Sequence, residues 1–281
     1  MRRPAAPARA LLVTIYGLFA RERGGALSVA SLVRLLGALQ VDGPAARSLI
    51  SRLKARGILQ PVAVGASAGY GLTDAGRTLL EEGDRRIYGR PRARVADGWL
   101  LVVFSVPESQ RAQRHSLRTR LAKLGFGTVS AGVWIAPTHL AEETADVLRL
   151  HQLDRYVELF TATAPASDPA GAVARWWDLQ ALATLYRSFV QQYQPVLDDW
   201  NGTVGRGSPD DGRDAFADYV RAVTAWRRLP YRDPGLPAEL LPADWPGTAA
   251  AELFASLRVA LGGAARTFVT GVAGQADPPA G

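Results

Sequence analysis

A short basic segment from Asp42 to Leu59, DGPAARSLISRLKARGIL, carries the residues whose types and spacing best suit a chemical role. Apolar residues recur in it at i, i+3, i+4 and i+7, which predicts a helix with one buried stripe. The opposite face is small and basic and holds no acid, whereas a solvated helix face usually mixes acids with bases. Such a face suits a polyanion, because Arg and Ser bind phosphates and the base edges of the DNA major groove.

Six side chains of this helix are predicted to contact nucleic acid. Four are expected to face the major groove and two at the C-terminal end to contact phosphates, namely Arg47, Ser48, Ser51 and Arg52, followed by Lys54 and Arg56. The alternative interpretation is a solvated helix face, and Arg56 has a further alternative in the helix dipole.

The elements around this helix predict a winged helix-turn-helix, in which the second helix enters the major groove. Ser28 is a good N-cap for the preceding helix, and Gly43 with Pro44 marks the turn between the two helices. Two strands, 58–64 and 70–72, are expected to flank the glycine-rich loop GASAG as a wing. A small helical bundle with a hairpin is the alternative.

The predicted wing, VGASAGYG, carries no charge. Its contacts to phosphate would come from backbone N–H groups or from Ser67, which is therefore a further candidate. Two interpretations stay open for Arg2, Arg3 and Arg9, which form either a DNA-contacting arm or a disordered tail.

The charge of the chain is concentrated in its first third. Residues 1–96 hold 16 Arg or Lys against 6 Asp or Glu, a balance of +10, whereas residues 97–281 hold 17 against 20, a balance of −3. A domain with this excess suits polyanions, because each neutralised phosphate releases condensed counterions. A basic surface without a partner is the alternative.

Several classes of site are excluded by composition. The chain has no cysteine, so disulfides, thiolate zinc sites and thiol nucleophiles are excluded together. Its three histidines, His115, His139 and His151, have no metal-ligand spacing, so we expect neither a metal nor a cofactor. The N-terminal run with Leu12 and Phe19 has the spacing of a core helix rather than a secretory signal, which favours a cytoplasmic location.

The whole chain is expected to form an α+β protein of three domains. After the winged helix-turn-helix of residues 1–90, the element order βαββαβ over 97–163 predicts a ferredoxin-like middle domain. Residues 172–270 are expected to form a helical C-terminal domain, beginning with one long helix over 172–197. Linkers rich in Gly, Pro and Arg or in Ala and Pro separate the three, and the first boundary is expected near residue 92.

In several motifs along its length, the sequence resembles the PaaX family of bacterial transcriptional regulators. The similarity covers nearly the whole chain and is carried by TIYGLF at 14–19, YGLTDAGRTLLEEGDRRIYG at 70–89, LGFGTVSAGVWIAP at 124–137, WDL at 177–179 and WRRLPYRDPGLPAELLPADWPG at 226–247. The resemblance implies a dimer that binds a palindromic operator, usually as a repressor. It also implies release from DNA by an aryl-coenzyme A thioester, phenylacetyl-CoA in the founding members.

The implied effector suggests ligand-binding residues in the C-terminal part. The candidates are Arg187, Arg227 and Arg228 for phosphates, with Trp177 and Trp226 as aromatic contacts. The alternative is that these arginines pair with Asp178, Asp214 or Asp218 and that the aromatic residues form the core.

Two departures from the family pattern bear on function. The wing lacks the basic residues of many relatives, and Thr224 and Ala225 stand where relatives often carry His-Glu. A regulator of the same fold that acts on another pathway, without an acyl-CoA effector and even as an activator, is therefore the second interpretation. A nucleic-acid-processing enzyme is a third, but the first middle-domain strand ends without a metal-binding carboxylate and Glu108 lies beyond Pro107.

Overall fold

The computed structural model describes residues 7–89, 92–163, 167–203 and 211–274. By compactness the chain divides into two units. The first comprises residues up to 85 together with 188–226 and the residues from 249 onward, and the second comprises 86–187 and 227–248. The three-domain boundaries expected from sequence stay a prediction.

The N-terminal part is a helix-turn-helix with a three-stranded antiparallel sheet of order β1-β3-β2. Its elements are α1 (Ala8–Ile15), β1 (Ala26–Ser28), α2 (Val29–Ala38), α3 (Gly43–Ala55), β2 (Leu59–Val64), β3 (Ser67–Leu72) and α4 (Asp74–Tyr88). This is the predicted winged form, in which the wing is the β2–β3 hairpin.

Side-chain N-caps set the first residues of α2 and α3, and the cap of α2 by Ser28 was expected from the sequence. The Ser28 side chain accepts a hydrogen bond of 3.1 Å from the Ser31 backbone N–H at the start of α2. Asp42 caps α3 by accepting from the Ala45 N–H at 2.7 Å. These bonds satisfy N–H groups of the first helical turn, which have no acceptor within the helix.

The hairpin is longer than the predicted wing strands. Residues 65–69, expected to be a loop, reduce to a two-residue turn at 65–66, because β3 begins at Ser67 and pairs Gly69 with Val62. A Cβ on Gly69 would lie 2.5 Å from a Val64 methyl and 2.7 Å from the Leu27 carbonyl oxygen. Glycine is needed there for three strands to approach, so Gly69 belongs to the sheet and not to a loop.

The first helix is also less regular than the predicted single helix over 9–23. After α1 the chain continues as a π-helical turn, Tyr16–Ala20, and a 3-10 turn, Arg21–Arg23. Leu12, Ile15, Tyr16 and Phe19 are all buried, as a core helix requires.

The middle segment has the predicted ferredoxin-like arrangement. Its elements are β4 (Trp99–Phe104), α5 (Arg111–Leu124), β5 (Gly127–Ser130), β6 (Val133–Pro137), α6 (Ala141–Leu150) and β7 (Val157–Ala162). The strands form one antiparallel sheet of order β5-β6-β4-β7, which is the ferredoxin-like topology.

The two faces of this sheet have separate cores. On one face Leu100 and Val102 of β4 pack with Leu117 and Leu121 of α5. On the other face Trp99 packs in a cluster with residues from beyond the sheet, namely Val173, Trp177, Leu236 and Leu240.

The long helix expected over 172–197 is broken in two. α7 (Pro169–Trp176) ends at Trp177, whose backbone is extended, and α8 (Leu179–Thr203) starts anew. Asp178 explains the restart, because its carboxylate accepts a hydrogen bond of 2.8 Å from the Ala181 N–H.

Two further helices, α9 (Asp211–Trp226) and α10 (Gly247–Gly274), follow in the chain. Within the first unit α9 packs on α1. Thr14 and Thr224 share a buried hydrogen bond of 2.8 Å, and the rings of Phe19 and Phe216 lie 5.6 Å apart. The helices beyond residue 188 thus complete the core that buries α1.

Candidate nucleic-acid interface and ligand cavity

The α3 helix presents the predicted basic face to solvent. Its apolar stripe, Ala46, Leu49, Ile50 and Leu53, is buried. The six predicted contact residues, Arg47, Ser48, Ser51, Arg52, Lys54 and Arg56, are all exposed. No acid occurs within Gly43–Ala55, so every charged side chain exposed on α3 is basic.

Arg52 and Ser48 lie together on this face. The Arg52 guanidinium donates two hydrogen bonds to the Ser48 hydroxyl oxygen, and the shorter of them is 2.9 Å. A guanidinium held by one neutral hydroxyl keeps most of its donors available for a DNA base or phosphate. The contact aligns the side chain along the helix surface without neutralising its charge.

The remaining candidates for DNA contact lie on the wing and at the N-terminus. Ser67, at the start of β3, is half-buried, and it lines a cleft together with Arg47 and with Arg34 of α2. Arg34 was missed by the sequence reasoning, since a single Arg on a leucine-rich helix gives no local signal. Arg9 is exposed on α1, whereas Arg2 and Arg3 lie outside the described residues.

The second unit contains a cavity of about 810 Å³, which we call the cationic cavity. It is bounded by α5, the start of β5, the start of α8 and the segment after α9. Its charged and aromatic lining residues are Lys123, Phe126, Trp134, Trp177, Asp178, Arg227, Arg228, Tyr231 and Arg232.

The lining of the cationic cavity carries a strong positive excess. Four cations, Lys123, Arg227, Arg228 and Arg232, face one acid, Asp178, among its described residues. That acid is engaged in capping α8. A cavity of this composition suits an anion, and Arg binds phosphate oxygens through paired donors.

A buried carboxylate fixes the arginine-bearing segment. Asp233 accepts a hydrogen bond of 2.6 Å from the Tyr186 hydroxyl and one of 2.8 Å from the Gly235 N–H. A Cβ on Gly125 would lie 3.1 Å from the backbone nitrogen of Pro234. The RDPG sequence is therefore an anchored turn that holds Arg232 at the cavity.

Aromatic residues form the apolar part of the lining. Trp177 is held by its indole N–H, which donates to the Gly125 carbonyl oxygen at 2.8 Å. The indole nitrogen of Trp134 is buried without a hydrogen-bond acceptor in the part of the chain that the structure describes. A buried donor of this kind is unusual.

Arg86, at the end of α4, contacts two residues that line the cationic cavity. Its guanidinium donates to Glu143 at 2.8 Å and to the Lys123 carbonyl oxygen at 3.2 Å, and it lies 4.9 Å from the centroid of the Tyr231 ring. Since Lys123 and Tyr231 line the cavity, Arg86 positions two of its residues.

The five predicted effector residues do not form one cluster. Arg227, Arg228 and Trp177 line the cationic cavity. Arg187 instead lies 3.6 Å from Asp244 in an ion pair. Trp226 is buried in the first unit, where its ring stacks on Phe254 at 4.6 Å, so its environment is that of a core residue.

The sequence reasoning missed Lys123, Phe126, Trp134, Tyr231 and Arg232 as lining residues. Tyr231 and Arg232 belong to the same distinctive motif as the two predicted arginines, which was a usable signal. The others come from the middle domain and carried none.

Glu108, the carboxylate that follows the first strand of the middle domain, is paired with an arginine. Glu108 accepts a hydrogen bond of 2.8 Å from Arg114. Within the described ranges no group of three or more His, Cys, Asp or Glu residues is arranged to hold a metal ion. No helix in those ranges is both long enough and apolar enough to cross a bilayer.

Comparison with known proteins matches this architecture along nearly the whole chain. The family model "PaaX-like protein" matches residues 7–76, "PaaX protein central Cas2-like domain" matches 92–174, and "PaaX-like protein C-terminal domain" matches 177–271. The transcriptional repressor PaaX of Escherichia coli K12 is 25% identical over 264 residues, which cover 92% of this chain and 82% of that protein.

A solved structure shares the fold. An uncharacterised protein of Mycobacterium tuberculosis superposes with a TM-score of 0.62 at 21% identity, covering 94% of this chain and 98% of that one. With three consecutive family domains and a repressor relative spanning most of its length, the chain belongs to the PaaX family of transcriptional regulators.

Proposed function

We propose that the protein is a homodimeric transcriptional repressor that acts in the cytoplasm and binds a palindromic operator through α3. The observation that carries this proposal is the acid-free exposed face of α3, with Arg47, Ser48, Ser51 and Arg52 above a buried stripe. A helix-turn-helix dimer reads two half-sites, and small polar and basic side chains permit close approach to base edges.

The charge distribution supports the same proposal. The surplus of +10 in residues 1–96 favours association with DNA, whereas the remaining residues carry −3.

We further propose that an aryl-CoA thioester such as phenylacetyl-CoA binds in the cationic cavity and releases the DNA. Coenzyme A carries several phosphates, for which Lys123, Arg228 and Arg232 offer cationic partners, while Trp177 and Tyr231 offer rings for an aryl group. Its volume of about 810 Å³ falls within the range of small-molecule sites, about 300–1,000 Å³.

Thr224 and Ala225 support a second candidate, a regulator of the same fold with a different ligand. Thr224 forms a buried hydrogen bond with Thr14 in the first unit. At this position the chain carries a core contact where relatives often carry a His, so the ligand can differ even if the DNA-binding mode is shared.

Fluorescence anisotropy with a labelled duplex from the protein's own upstream region tests both candidates. Phenylacetyl-CoA, free coenzyme A and phenylacetate are titrated separately into the complex. Release by the thioester alone supports the aryl-CoA effector, whereas stable binding in all three titrations favours the second candidate. Retention of a scrambled duplex as tightly as the upstream duplex contradicts sequence-specific repression.

We also propose that the chain has no catalytic activity, because Glu108 is paired with Arg114 and the family relative is a repressor. Incubation of labelled DNA with the protein and Mg²⁺ or Mn²⁺ tests this. Metal-dependent cleavage that survives purification over two further columns would contradict it.

A further inference from the structure

A cleft in the first unit lies between α2, the start of α3 and the wing strand β3, and we call it the α2–β3 cleft. Its volume is about 430 Å³. The polar residues that line it are Arg34 of α2, Arg47 of α3 and Ser67 of β3, and its apolar residues include Val29 and Val33 of α2. No acid lines the cleft among the described residues, and two arginines and one serine from three different elements share its lining.

The direction of the Arg47 side chain is informative. A Cβ on Gly43 would lie 3.4 Å from Nη1 of Arg47 and 3.9 Å from Cγ1 of Val33. The Arg47 guanidinium is therefore folded back over the first turn of α3, toward α2. A side chain that reads a base edge instead extends from the outward face of the recognition helix into the groove.

The chemistry of the α2–β3 cleft selects a phosphate over a base. A tetrahedral phosphate presents oxygens in several directions and is bound well by two guanidinium groups and a hydroxyl approaching from different elements. A planar base edge is usually read by one bidentate side chain. Contacts to phosphate fix the register of a protein on the duplex without reading its sequence.

We propose that the α2–β3 cleft binds one backbone phosphate of each operator half-site, held by Arg34 and Arg47 with Ser67 donating a hydrogen bond. This inference rests on the proposed DNA-binding function. It assigns Arg47 to positioning, and it leaves base reading to Ser48, Ser51 and Arg52. The uncharged wing then contributes through the hydroxyl of Ser67, the first residue of β3 after the turn at its tip.

Affinity measurements with two duplexes test the assignment. Arg34→Ala and Arg47→Ala are compared with wild type and with Arg52→Ala on the operator and on a scrambled duplex, over a series of salt concentrations. We expect each cleft variant to lose roughly tenfold in affinity on both duplexes alike. Each should also lower the slope of log K against log salt by about 1. Arg52→Ala should lose mainly the preference for the operator.

A scan with methylphosphonates locates the phosphate. Single phosphates of the operator are replaced in turn by the neutral methylphosphonate, and wild type should lose affinity strongly at one position in each half-site. In Arg34→Ala and Arg47→Ala the same replacement should cost less than in wild type, because one of the two charge partners of that phosphate is already gone. The scan of the wild-type protein alone identifies the sensitive phosphate.

The outcomes separate this inference from the function on which it rests. A wild-type protein that binds neither duplex at low salt overturns the proposed function and the cleft assignment together. A wild type that binds the operator while Arg34→Ala keeps its affinity and salt slope overturns the cleft assignment alone. The same holds if Arg47→Ala loses operator preference but binds the scrambled duplex as wild type does.

Discussion

The hydroxyl of Tyr16 donates a hydrogen bond of 2.9 Å to the backbone carbonyl oxygen of Tyr70. This contact joins the π-helical turn after α1 to β3, the return strand of the wing. Tyr16 is almost completely buried, and burial raises the pKa of its phenol well above the ordinary value, with a smaller contribution from Tyr70. The base of the wing is thus fastened to the first core helix.

Replacing Tyr16→Phe should lower the free energy of unfolding by about 1 kcal/mol, because the Tyr70 carbonyl loses its buried partner while the ring volume is kept. Urea denaturation followed by circular dichroism measures the change. Tyr156→Phe, which removes an exposed hydrogen bond to Gln110, is the matched control and should change stability by less than about 0.5 kcal/mol. Equal effects in the two variants would contradict the structural role of Tyr16.

The same phenol predicts a pH dependence at the alkaline end. The folded-state pKa of Tyr16 is raised, so the neutral phenol is favoured in the folded protein more than in the unfolded chain. Its contribution is complete below the unfolded pKa of about 10 and is lost as the pH rises toward the folded pKa. The stability difference between wild type and Tyr16→Phe should therefore shrink above about pH 10, as measured by urea titrations at several pH values.

On α3, Arg52→Ala should weaken operator binding by roughly 1–3 kcal/mol if Arg52 reads a base. Ser67→Ala should cost less, about 0.5–1.5 kcal/mol, because it removes one neutral hydrogen bond. Anisotropy titrations at one salt concentration compare the two. Operator affinity unchanged in Arg52→Ala would remove this residue from the interface, and a larger loss in Ser67→Ala would give the wing the leading role.

In the cationic cavity, Arg228→Ala should weaken phenylacetyl-CoA binding roughly tenfold, because a charged hydrogen-bond donor to phosphate is lost. Operator affinity without ligand should not change. Arg149→Ala removes an exposed arginine of α6 outside the cavity and serves as the control. Isothermal titration calorimetry and the release assay provide separate readouts. If the Arg228→Ala variant binds phenylacetyl-CoA as tightly as wild type does, Arg228 is not a phosphate partner.

Replacing glycine by alanine is expected to have opposite effects on stability at two positions. A Cβ on Gly76, in the first turn of α4, would lie 2.4 Å from the Ile58 carbonyl oxygen, so Gly76→Ala should destabilise the protein by roughly 1–3 kcal/mol or more. Gly263, within α10, has nothing within 4 Å of its Cβ position, so Gly263→Ala should stabilise it by about 0.5–1 kcal/mol. Thermal denaturation of both variants checks the signs. A Gly76→Ala protein as stable as wild type would show that α4 can move away from Ile58.

Local signals in the sequence were sufficient for α3 and for the middle domain. Pro44 in the first turn of α3, the buried stripe from Ala46 to Leu53 and the element order βαββαβ each depend on neighbouring residues or on hydrophobic periodicity. The break at Trp177 was missed because helical spacing continues across it. The hydrogen bond from its indole to Gly125 and the capping of α8 by Asp178 both occur at the break.

The cationic cavity could be predicted only in part, for a different reason. Its lining joins residues 119–134, 177–185 and 227–232, which are far apart in the chain and carry no common pattern. The two predicted arginines stood out because they lie in a distinctive motif, whereas Lys123 and Trp134 resemble ordinary surface and core residues. Arg187 and Trp226 were grouped with them on residue type alone, and their positions depend on tertiary contacts that residue type does not encode.

The hydrogen bond between Thr14 and Thr224 joins residues separated by 210 positions, and Phe19, in the turn after α1, packs on Phe216 of the same distant helix. A nascent chain that ends before α9 therefore cannot complete the burial of α1, because these partners have not yet been synthesised. The helix-turn-helix is made first and its core is finished last. A chain truncated before α9 would lack these contacts and should not bury α1 as the full-length protein does.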